Sequence, residues 1–581
     1  MLSALNDEQR IAVQESGNVL LTACPGSGKT RALTYKIAYE LEKLENSKKT
    51  ILAVTFTNRA ADEIKKRISS LASGDSNLWA GTIHAFCLEW ILKPYMCYLE
   101  NLRNGFSVAD EYHTWKLIED LKKEYGLKYW DTVSTRYKKS GELEEETHSD
   151  LIKEYHRLLR EGKRIDFDQI LYFSYKLLSE YKLIPEILKN LFHVICVDEY
   201  QDTQNLQYAI LAEIMKADKG TCNMFIVGDA DQAIYGSLGG VAKSKEEIEA
   251  EFNVEFEQKE LTGNYRSSQR IIDFYRNFQI SDIDIVAVGK DKDKYGRITY
   301  RKDINEREID TYIAEIIRSR IHSGVKEEEI CVLAPTWYMI IPMGRRLKAL
   351  LPEFNFDAVG LSPLQRNREN IWFRIARLFL VVPSPQRIST RKRWAKEIVD
   401  ELENIGEGVL MGIDNKAKIM LKVINSIKSD KVEGLDYLEE CFGKFCDFFG
   451  IDPMANEYLK ANWDTFFEGA KQRLSDPGLC IPSDIESFRN MFHHEKGIVV
   501  NTCHGIKGDE FNTVIAFGLL HGRLPNRNEQ DINAANKLLY VICSRAKEEL
   551  HLISETGRTY GKYKTPYLPT EQLNAVHYEY D

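Results

Sequence analysis

Short apolar runs bounded by turn residues alternate along this chain with longer stretches of helical periodicity. Val19-Leu20-Leu21-Thr22 is the first such run, and beyond a Gly- and Pro-containing turn the pattern Ala32-Leu33-Thr34-Tyr35-Lys36-Ile37-Ala38 predicts a helix. His193-Val194-Ile195-Cys196-Val197 and Met224-Phe225-Ile226-Val227 predict two more buried strands, with helices over 60–71 and 205–216. Strands that are apolar on both faces and separated by helices fit a doubly wound α/β sheet, which binds its ligand at the C-terminal ends of the strands.

Two long stretches have a different texture. The chain between Phe86 and Asp198 exceeds a loop and carries amphipathic runs over 111–125 and 151–160, ending before Asp166-Phe167-Asp168. This predicts an inserted helical domain. From about Val381 to His494 the chain is again helical and charged, notably over 415–428 and 434–449, before strand character returns at Gly497-Ile498-Val499-Val500. Pro383-Ser384-Pro385 predicts a hinge or linker.

The turn after the first strand carries the chemistry. Ala23-Cys24-Pro25-Gly26-Ser27-Gly28-Lys29-Thr30 has the strand–loop–helix setting of a phosphate-binding loop. Its glycines let backbone N–H groups turn toward a phosphate at a helix N-terminus; Lys29 can reach the outer oxygens and Thr30 can hold Mg²⁺. The second strand runs into Asp198-Glu199, a pair suited to dividing two tasks, Asp198 organising the metal and Glu199 orienting and activating a water. The third ends in Gly228-Asp229-Ala230-Asp231-Gln232, where the Gln232 amide can sense a terminal phosphate. Together these predict hydrolysis of a nucleoside triphosphate.

Composition narrows the setting. At 581 residues the chain exceeds one core, and about three or four domain-sized units are expected. Its 43% apolar and 29% charged residues describe a globular protein, with no apolar stretch long enough for a bilayer and no signal architecture at Met1 to Asp7. The eleven cysteines are scattered without a Cys-x-x-Cys pair, which predicts reduced thiols in a cytoplasmic protein; Cys441 and Cys446 read as helix packing rather than metal ligands. A net charge of −10 argues against nonspecific coating of nucleic acid and leaves room for a local basic track. Of two basic stretches, Arg136-Tyr137-Lys138-Lys139 reads as solvated surface. Arg387 with Arg391-Lys392-Arg393-Trp394-Ala395-Lys396 reads as a contact, with Trp394 as a stacking surface.

With the phosphate loop, a series of blocks resembles superfamily 1 helicases of the UvrD/Rep/PcrA type. Leu5 to Val13 resembles the Q motif, Thr55 to Ala61 motif Ia and Gly81 to Phe86 motif Ib. Asp198 to Gln204 resembles motif II, Val227 to Gly240 motif III, Leu261 to Ser268 motif IV, Val499 to Phe511 motif V and Leu538 to Lys547 motif VI. The blocks keep family order over nearly the whole chain. The resemblance implies two RecA-like domains, each with a largely helical insertion: 1–88 with 166–265, interrupted by 89–165, and 266–380 with 490–581, interrupted by 381–489.

It also implies roles. ATP with Mg²⁺ would be held by Gln9, Ala23, Gly26, Ser27, Gly28, Lys29, Thr30, Arg31, Tyr265 and Glu510, with Gln9 reading the adenine edge, Tyr265 stacking on the base and Glu510 contacting the ribose. Thr30 and Asp198 would take the metal, and Lys29, Glu199, Gln232, Arg266 and Arg545 would form the catalytic set, with Arg545 arriving from the second motor domain as an arginine finger. Phe56, Thr57, Asn58, His84, Tyr235 and His504 would face DNA. The implied activity is ATP-driven movement 3′ to 5′ on single-stranded DNA and at duplex junctions. The alternative is an ATP-gated sensor of DNA ends that licenses a nuclease without processive unwinding.

Two departures stand out. After Tyr235 the aromatic-and-arginine pair of motif III is replaced by Gly236-Ser237-Leu238-Gly239-Gly240, and Asn536-Lys537 stands where motif VI has an acidic–arginine lead. The short tail after motif VI leaves no room for a nuclease core in this sequence. Ile83 to Tyr95 is similar to helicase subunits of Gabija-type anti-phage systems, in which a UvrD-like protein accompanies a topoisomerase-primase-fold endonuclease. That implies a separate nuclease partner, in defence or in DNA repair.

Overall fold

The computed structural model describes residues 2–44, 47–71, 77–109, 111–128, 131–358, 362–364, 367, 370–384, 387–407, 415–476, 481–492, 497–527, 529 and 531–581. Pro385 of the expected linker and His494 at the end of the second helical stretch lie outside the described residues. Contact density divides the chain into two compact units: Met1–Ala109, Ile118–Arg307 and Cys503–Asp581 make the first, and Asp110–Leu117 with Glu308–Thr502 the second.

The first unit is built on six parallel strands: β1 (Val19–Ala23), β2 (Thr50–Thr55), β3 (Leu78–Thr82), β4 (Phe192–Asp198), β5 (Asn223–Gly228) and β6 (Glu257–Leu261). Their order is β3-β2-β4-β5-β1-β6, so the three strands expected from the sequence lie side by side and deliver their C-terminal ends to one edge. The period of two along each strand divides the core into two layers. Leu20, Leu52, Ile195 and Ile226 pack on one face with Ile170 and Ile210. Those two come from helices Phe167–Glu180 and Asn205–Lys216. On the opposite face Leu21, Ala53, Cys196 and Val227 meet Leu33, Ile37, Ile64 and Ile68. These belong to α1 (Lys29–Lys43) and α2 (Asn58–Leu71). A second parallel set, Arg297–Arg301, Ala546–Ile553 and Phe511–Ala516, belongs to the same unit.

Within the stretch expected as a helical insertion lies α3 (Ser149–Glu161), and after it Asp166 caps α4 (Phe167–Glu180) in a reciprocal capping box with Gln169. The Asp166 carboxyl, pushed up to about 7 by burial and then by Asp168, also accepts from the Tyr155 hydroxyl at 2.8 Å.

The second unit holds parallel strands Ile330–Ala334, Ile498–Thr502 and Phe356–Ala358. Its helices Ile371–Leu380, Ile388–Asn404, Lys416–Ser426, Gly434–Phe449 and Glu457–Ser475 surround a core with Trp372 and Phe442 at its centre. The basic stretch in this unit overturns its sequence reading. Arg391 is buried and donates to the carbonyls of Leu378 and Val381, while the guanidinium of Arg377 lies 3.8 Å from the centroid of the Trp394 ring. A helix that reads as a cationic face therefore uses its arginine to satisfy backbone carbonyls, and Trp394 is already covered. Cys441 and Cys446 are buried free thiols on Gly434–Phe449, in keeping with packing. Among the described residues no helix is long and apolar enough to cross a membrane.

Candidate nucleotide and nucleic-acid site

The loop after β1 is shaped by its own backbone and by the strand beside it. Cys24 N–H donates to the Leu261 carbonyl at 3.1 Å, anchoring the loop to β6, and Ser27 Oγ donates to the Cys24 carbonyl at 2.7 Å. Gly28 caps α1 in the left-handed region at φ 84°, a conformation a side chain would strain. Ala23 and Gly26 bound the turn, and the Gly26 carbonyl accepts from Tyr265 N–H at 2.9 Å. Lys29 and Thr30 open α1, beneath backbone N–H groups that the helix itself leaves free.

Gln9 is buried and donates from Nε2 to the Ser27 carbonyl at 2.8 Å, while its Oε1 closes a capping box on Asn6. Its side chain thus braces the phosphate loop in this state. Tyr265 is 45% exposed, with its hydroxyl accepting from Asn6 Nδ2 at 2.7 Å, so an open aromatic face stands next to the Gln9 segment. The Arg31 guanidinium lies 5.7 Å from the Tyr35 ring centroid. Asn264, wholly buried, ties these pieces together: it donates to the Pro25 carbonyl at 2.7 Å and accepts from Arg266 N–H and Ser267 N–H.

Carboxylates crowd the C-terminal ends of β4 and β5. Burial and then the neighbouring Glu199 push Asp198 up to about 7. Burial would also raise Glu199, but Lys29, Lys507, Gln201 and Arg545 outweigh it and hold it below its ordinary value. Asp229 and Asp202 are raised chiefly by burial. A divalent cation fits this donor chemistry, because Asp198 is a hard-oxygen donor among buried carboxylates whose charge a cation would relieve, and Thr30 at the start of α1 offers a hydroxyl. Glu199 sits at φ 53°, ψ 51°, a left-handed conformation that a non-glycine residue adopts at a cost of about 1–3 kcal/mol.

Gln201 holds that residue. Its Nε2 donates to Glu199 Oε2 at 2.5 Å, and its Oε1 accepts from Asp229 N–H at 3.0 Å, so one buried amide joins the ends of β4 and β5. Gln232 donates to Asp229 Oδ2, and Gln232 Oε1 accepts from Arg545 Nη2 at 2.7 Å. Arg545 is 1% exposed and also donates to the Val541 and Asp509 carbonyls. Burial and then Arg266 lower it to about 9, which leaves it charged at neutral pH. Arg266 pairs with Glu510 at 2.9 Å, and Lys547 reaches the other Glu510 oxygen at 3.0 Å. Burial would raise Glu510, yet these two cations bring it down to about 2. Lys29 faces Asp229 at 3.7 Å. Every cation of the expected catalytic set thus has a protein partner within the first unit.

Lys507 connects this cluster to a row of rings. Its ammonium contacts both oxygens of Asp202 and the Gln232 carbonyl, and lies 5.2 Å from the Tyr235 centroid. Tyr235 stacks on Phe56 at 4.9 Å and 23°, and His504 follows at 5.9 Å from Tyr235, its hydroxyl donating to the His504 carbonyl. Phe56 is 39% exposed at the end of β2. Three of the six residues expected to face DNA therefore form one tier of rings. Thr57 uses its hydroxyl to cap the Ala60 N–H at the start of α2, where Asn58 is exposed. His84 stands apart from the tier: its ring packs edge-on to Phe167 at 5.4 Å, and burial lowers it to about 4, leaving it neutral.

Motif reading missed Gln201, Asn264 and Lys507 as site residues. Each is a polar residue inside a recognised block, and only its burial against a distant partner distinguishes it from a surface residue.

A parallel sheet with a Gly-Lys-Thr loop at one strand end and a carboxylate pair two strands away defines a P-loop NTPase of the RecA-like class. Residues 5–253 match the UvrD/REP helicase N-terminal domain family and residues 484–557 the UvrD-like helicase C-terminal domain family. Over 636 residues the chain is 28% identical to an ATP-dependent DNA helicase PcrA of Bacillus subtilis, covering 96% of this chain and 84% of that protein. It is 25% identical to proteins of the same name from Staphylococcus epidermidis, over 99% of this chain and 87% of the relative, and Staphylococcus aureus, over 96% and 84%. The chain belongs to the UvrD/Rep/PcrA-type helicases of superfamily 1.

Proposed function

We propose that this helicase hydrolyses ATP to move 3′ to 5′ along single-stranded DNA and into duplex junctions. Gly26, Ser27, Gly28 and Lys29 hold the phosphates in the turn that Ala23 leads into, and Gln9, Arg31 and Tyr265 bracket the base. When bound, Mg²⁺ on Thr30 and Asp198 withdraws charge from the phosphates. Glu199 orients the attacking water and takes its proton, Gln232 reports the state of the terminal phosphate, and Arg266 and Arg545 stabilise charge on the transferring group. Glu510 exchanges its ion pairs for the ribose. Phe56, Tyr235 and His504 stack bases without sequence preference; Thr57, Asn58 and His84 flank that track.

One observation carries the reading. A single buried ammonium, Lys507, touches Asp202, the main-chain carbonyl of Gln232 and the Tyr235 face, so the backbone that carries the phosphate-reporting amide and the ring tier share a contact. The four-domain division into motor domains and insertions, 1–88 with 166–265, 89–165, 266–380 with 490–581, and 381–489, is part of the same proposal.

The test is steady-state ATPase with and without single-stranded DNA, beside strand displacement from duplexes with a 3′ or a 5′ tail. Stimulation by DNA and displacement from the 3′-tailed substrate are expected. Lys29→Ala loses nucleotide binding and turnover together, whereas Glu199→Gln binds nucleotide and stalls. Parent turnover in Glu199→Gln refutes the role of Glu199. The replaced motif III turn favours a second reading, an ATP-gated sensor of DNA ends that licenses a nuclease; DNA-stimulated ATPase without displacement supports it. A separate nuclease partner, in anti-phage defence or repair, rests on the resemblance of Ile83 to Tyr95. Co-purification from the native host tests it, and a lone monomer that unwinds long duplexes counts against it.

A further inference from the structure

The turn that replaces the usual motif III pair is not left bare. Gly236–Leu238 forms a single helical turn closed by Leu238 and Gly240 N–H groups on the Tyr235 carbonyl, and Gln204 Nε2 donates to the Leu238 carbonyl at 2.9 Å. Leu238 is 56% exposed, and the turn itself contributes neither cation nor aromatic ring. Against it lies a residue from the helical insertion. Arg136 Nη1 comes within 3.5 Å of the Ser237 carbonyl, and a Cβ at position 239 would sit 2.6 Å from the same nitrogen. Gly239, at φ 86°, thus leaves the space the guanidinium fills.

Arg136 is fixed there by its own hairpin. Residues 136–144 fold back through Lys138 N–H on the Glu142 carbonyl and Glu144 N–H on the Arg136 carbonyl. The next residue, Tyr137, stacks on Tyr172 at 4.5 Å and on His156 at 5.4 Å. That stacked ring anchors the backbone beside Arg136, whose Nε pairs with Glu144 at 3.1 Å. Its side chain is 23% exposed, so the guanidinium is ordered yet reachable from solvent. Nearby Lys139 and Lys243 both pair with Glu251 and are less free to act.

We propose that Arg136 is a nucleic-acid-binding residue: it supplies, from the insertion, the phosphate-binding cation that the motif III turn beside Tyr235 lacks. The ligand is a phosphodiester of the single strand whose bases stack on the Phe56–Tyr235–His504 tier, so the proposal rests on the DNA-motor reading. On binding, the guanidinium exchanges Glu144 for a phosphate, a planar bidentate match that a lysine does not reproduce.

The test is binding of labelled oligothymidylate over a salt series, with thermal unfolding run on each variant. Arg136→Ala is expected to weaken binding about tenfold at low salt and to reduce the slope of log Kd against log salt by about 0.7, one phosphate contact on a single strand. Arg136→Lys should restore the slope and only part of the affinity. Glu144→Gln reads the same contact without altering Arg136 and should tighten binding about threefold, because it removes the competing carboxylate. Lys153→Ala, an exposed cation on α3, should leave the slope unchanged. The proposal is overturned if Phe56→Ala weakens binding while Arg136→Ala and Glu144→Gln match the parent in affinity and slope. A parent protein that does not bind oligothymidylate overturns the motor reading itself, and this proposal with it.

Discussion

Gln201 offers the sharpest perturbation, because one amide serves two partners that the sequence separates by 28 residues in the case of Asp229. Replacing it with leucine keeps the volume and removes both contacts. The donor to Glu199 is charge-assisted and contributes about 1.5–3 kcal/mol, and Asp229 N–H is left buried without its acceptor at a further cost of about 1–3 kcal/mol. These overlap, so a loss of roughly 3 kcal/mol in stability is expected. The effect on turnover is separable. Glu199 already occupies a left-handed backbone conformation, and without Gln201 its carboxylate loses the side-chain hydrogen bond that sets its direction. A loss of about 1.4–2.8 kcal/mol in transition-state stabilisation gives a fall of roughly 10- to 100-fold in kcat, with KM for ATP nearly constant.

Gln201→Glu refines the measurement. The new carboxyl keeps an acceptor for Asp229 N–H but repels Glu199 until it is protonated, when it can donate again. Its turnover relative to the parent should therefore recover as pH falls, whereas that of Gln201→Leu should not. Denaturant melts and steady-state ATPase between about pH 8 and pH 5.5 separate the two contributions. A folded Gln201→Leu protein with the parent kcat, or a Gln201→Glu protein whose relative rate ignores pH, refutes the reasoning.

Three further outcomes follow from the same geometry. Arg545→Lys should lower single-turnover hydrolysis about 10²-fold or more while nucleotide affinity changes little, since a lysine cannot reproduce the fork that Arg545 offers; equal losses in both would indicate a ground-state contact. Lys507→Met should destabilise the protein by about 3 kcal/mol in denaturant melts by leaving Asp202 buried and unpaired, and adding Asp202→Asn should recover part of that; strict additivity of the two changes would contradict a direct pair. Glu40 is held at about 2 against burial by His193 and Lys36, so its stabilising contribution is complete above its ordinary value near 4.5 and disappears as pH falls toward 2. Glu40→Gln should cost about 3 kcal/mol at neutral pH, with the gap from the parent closing below pH 4.5; a gap independent of pH would rule out the ionised pair.

What the sequence made legible is local. Val19–Ala23, the Gly-Lys-Thr turn and α1 follow one another within 25 residues, and their apolar spacing and glycine positions are enough to assign a strand, a phosphate loop and a helix. Asp198-Glu199 is legible for the same reason. Arg391 shows the opposite case, since its basic stretch reads as a contact surface until the carbonyls of Leu378 and Val381 turn out to lie beside it. Gln201, Asn264 and Lys507 act through partners 28, 239 and 305 residues away, a relation no local pattern encodes. Arg136 is the subtlest instance: the missing charge was visible in Gly236 to Gly240, and its replacement lay a hundred residues upstream in a stretch that reads as surface.

The pairing of cations within the site has a consequence for how a nucleotide enters. Lys29 is matched with Asp229, Arg266 with Glu510, Arg545 with Gln232 and Lys507 with Asp202, so each of these cations already has a protein partner. A triphosphate does not meet open positive charge; it displaces carboxylates and amides that already hold it. Entry is an exchange of partners, and its net free energy is the small difference between two sets of strong contacts.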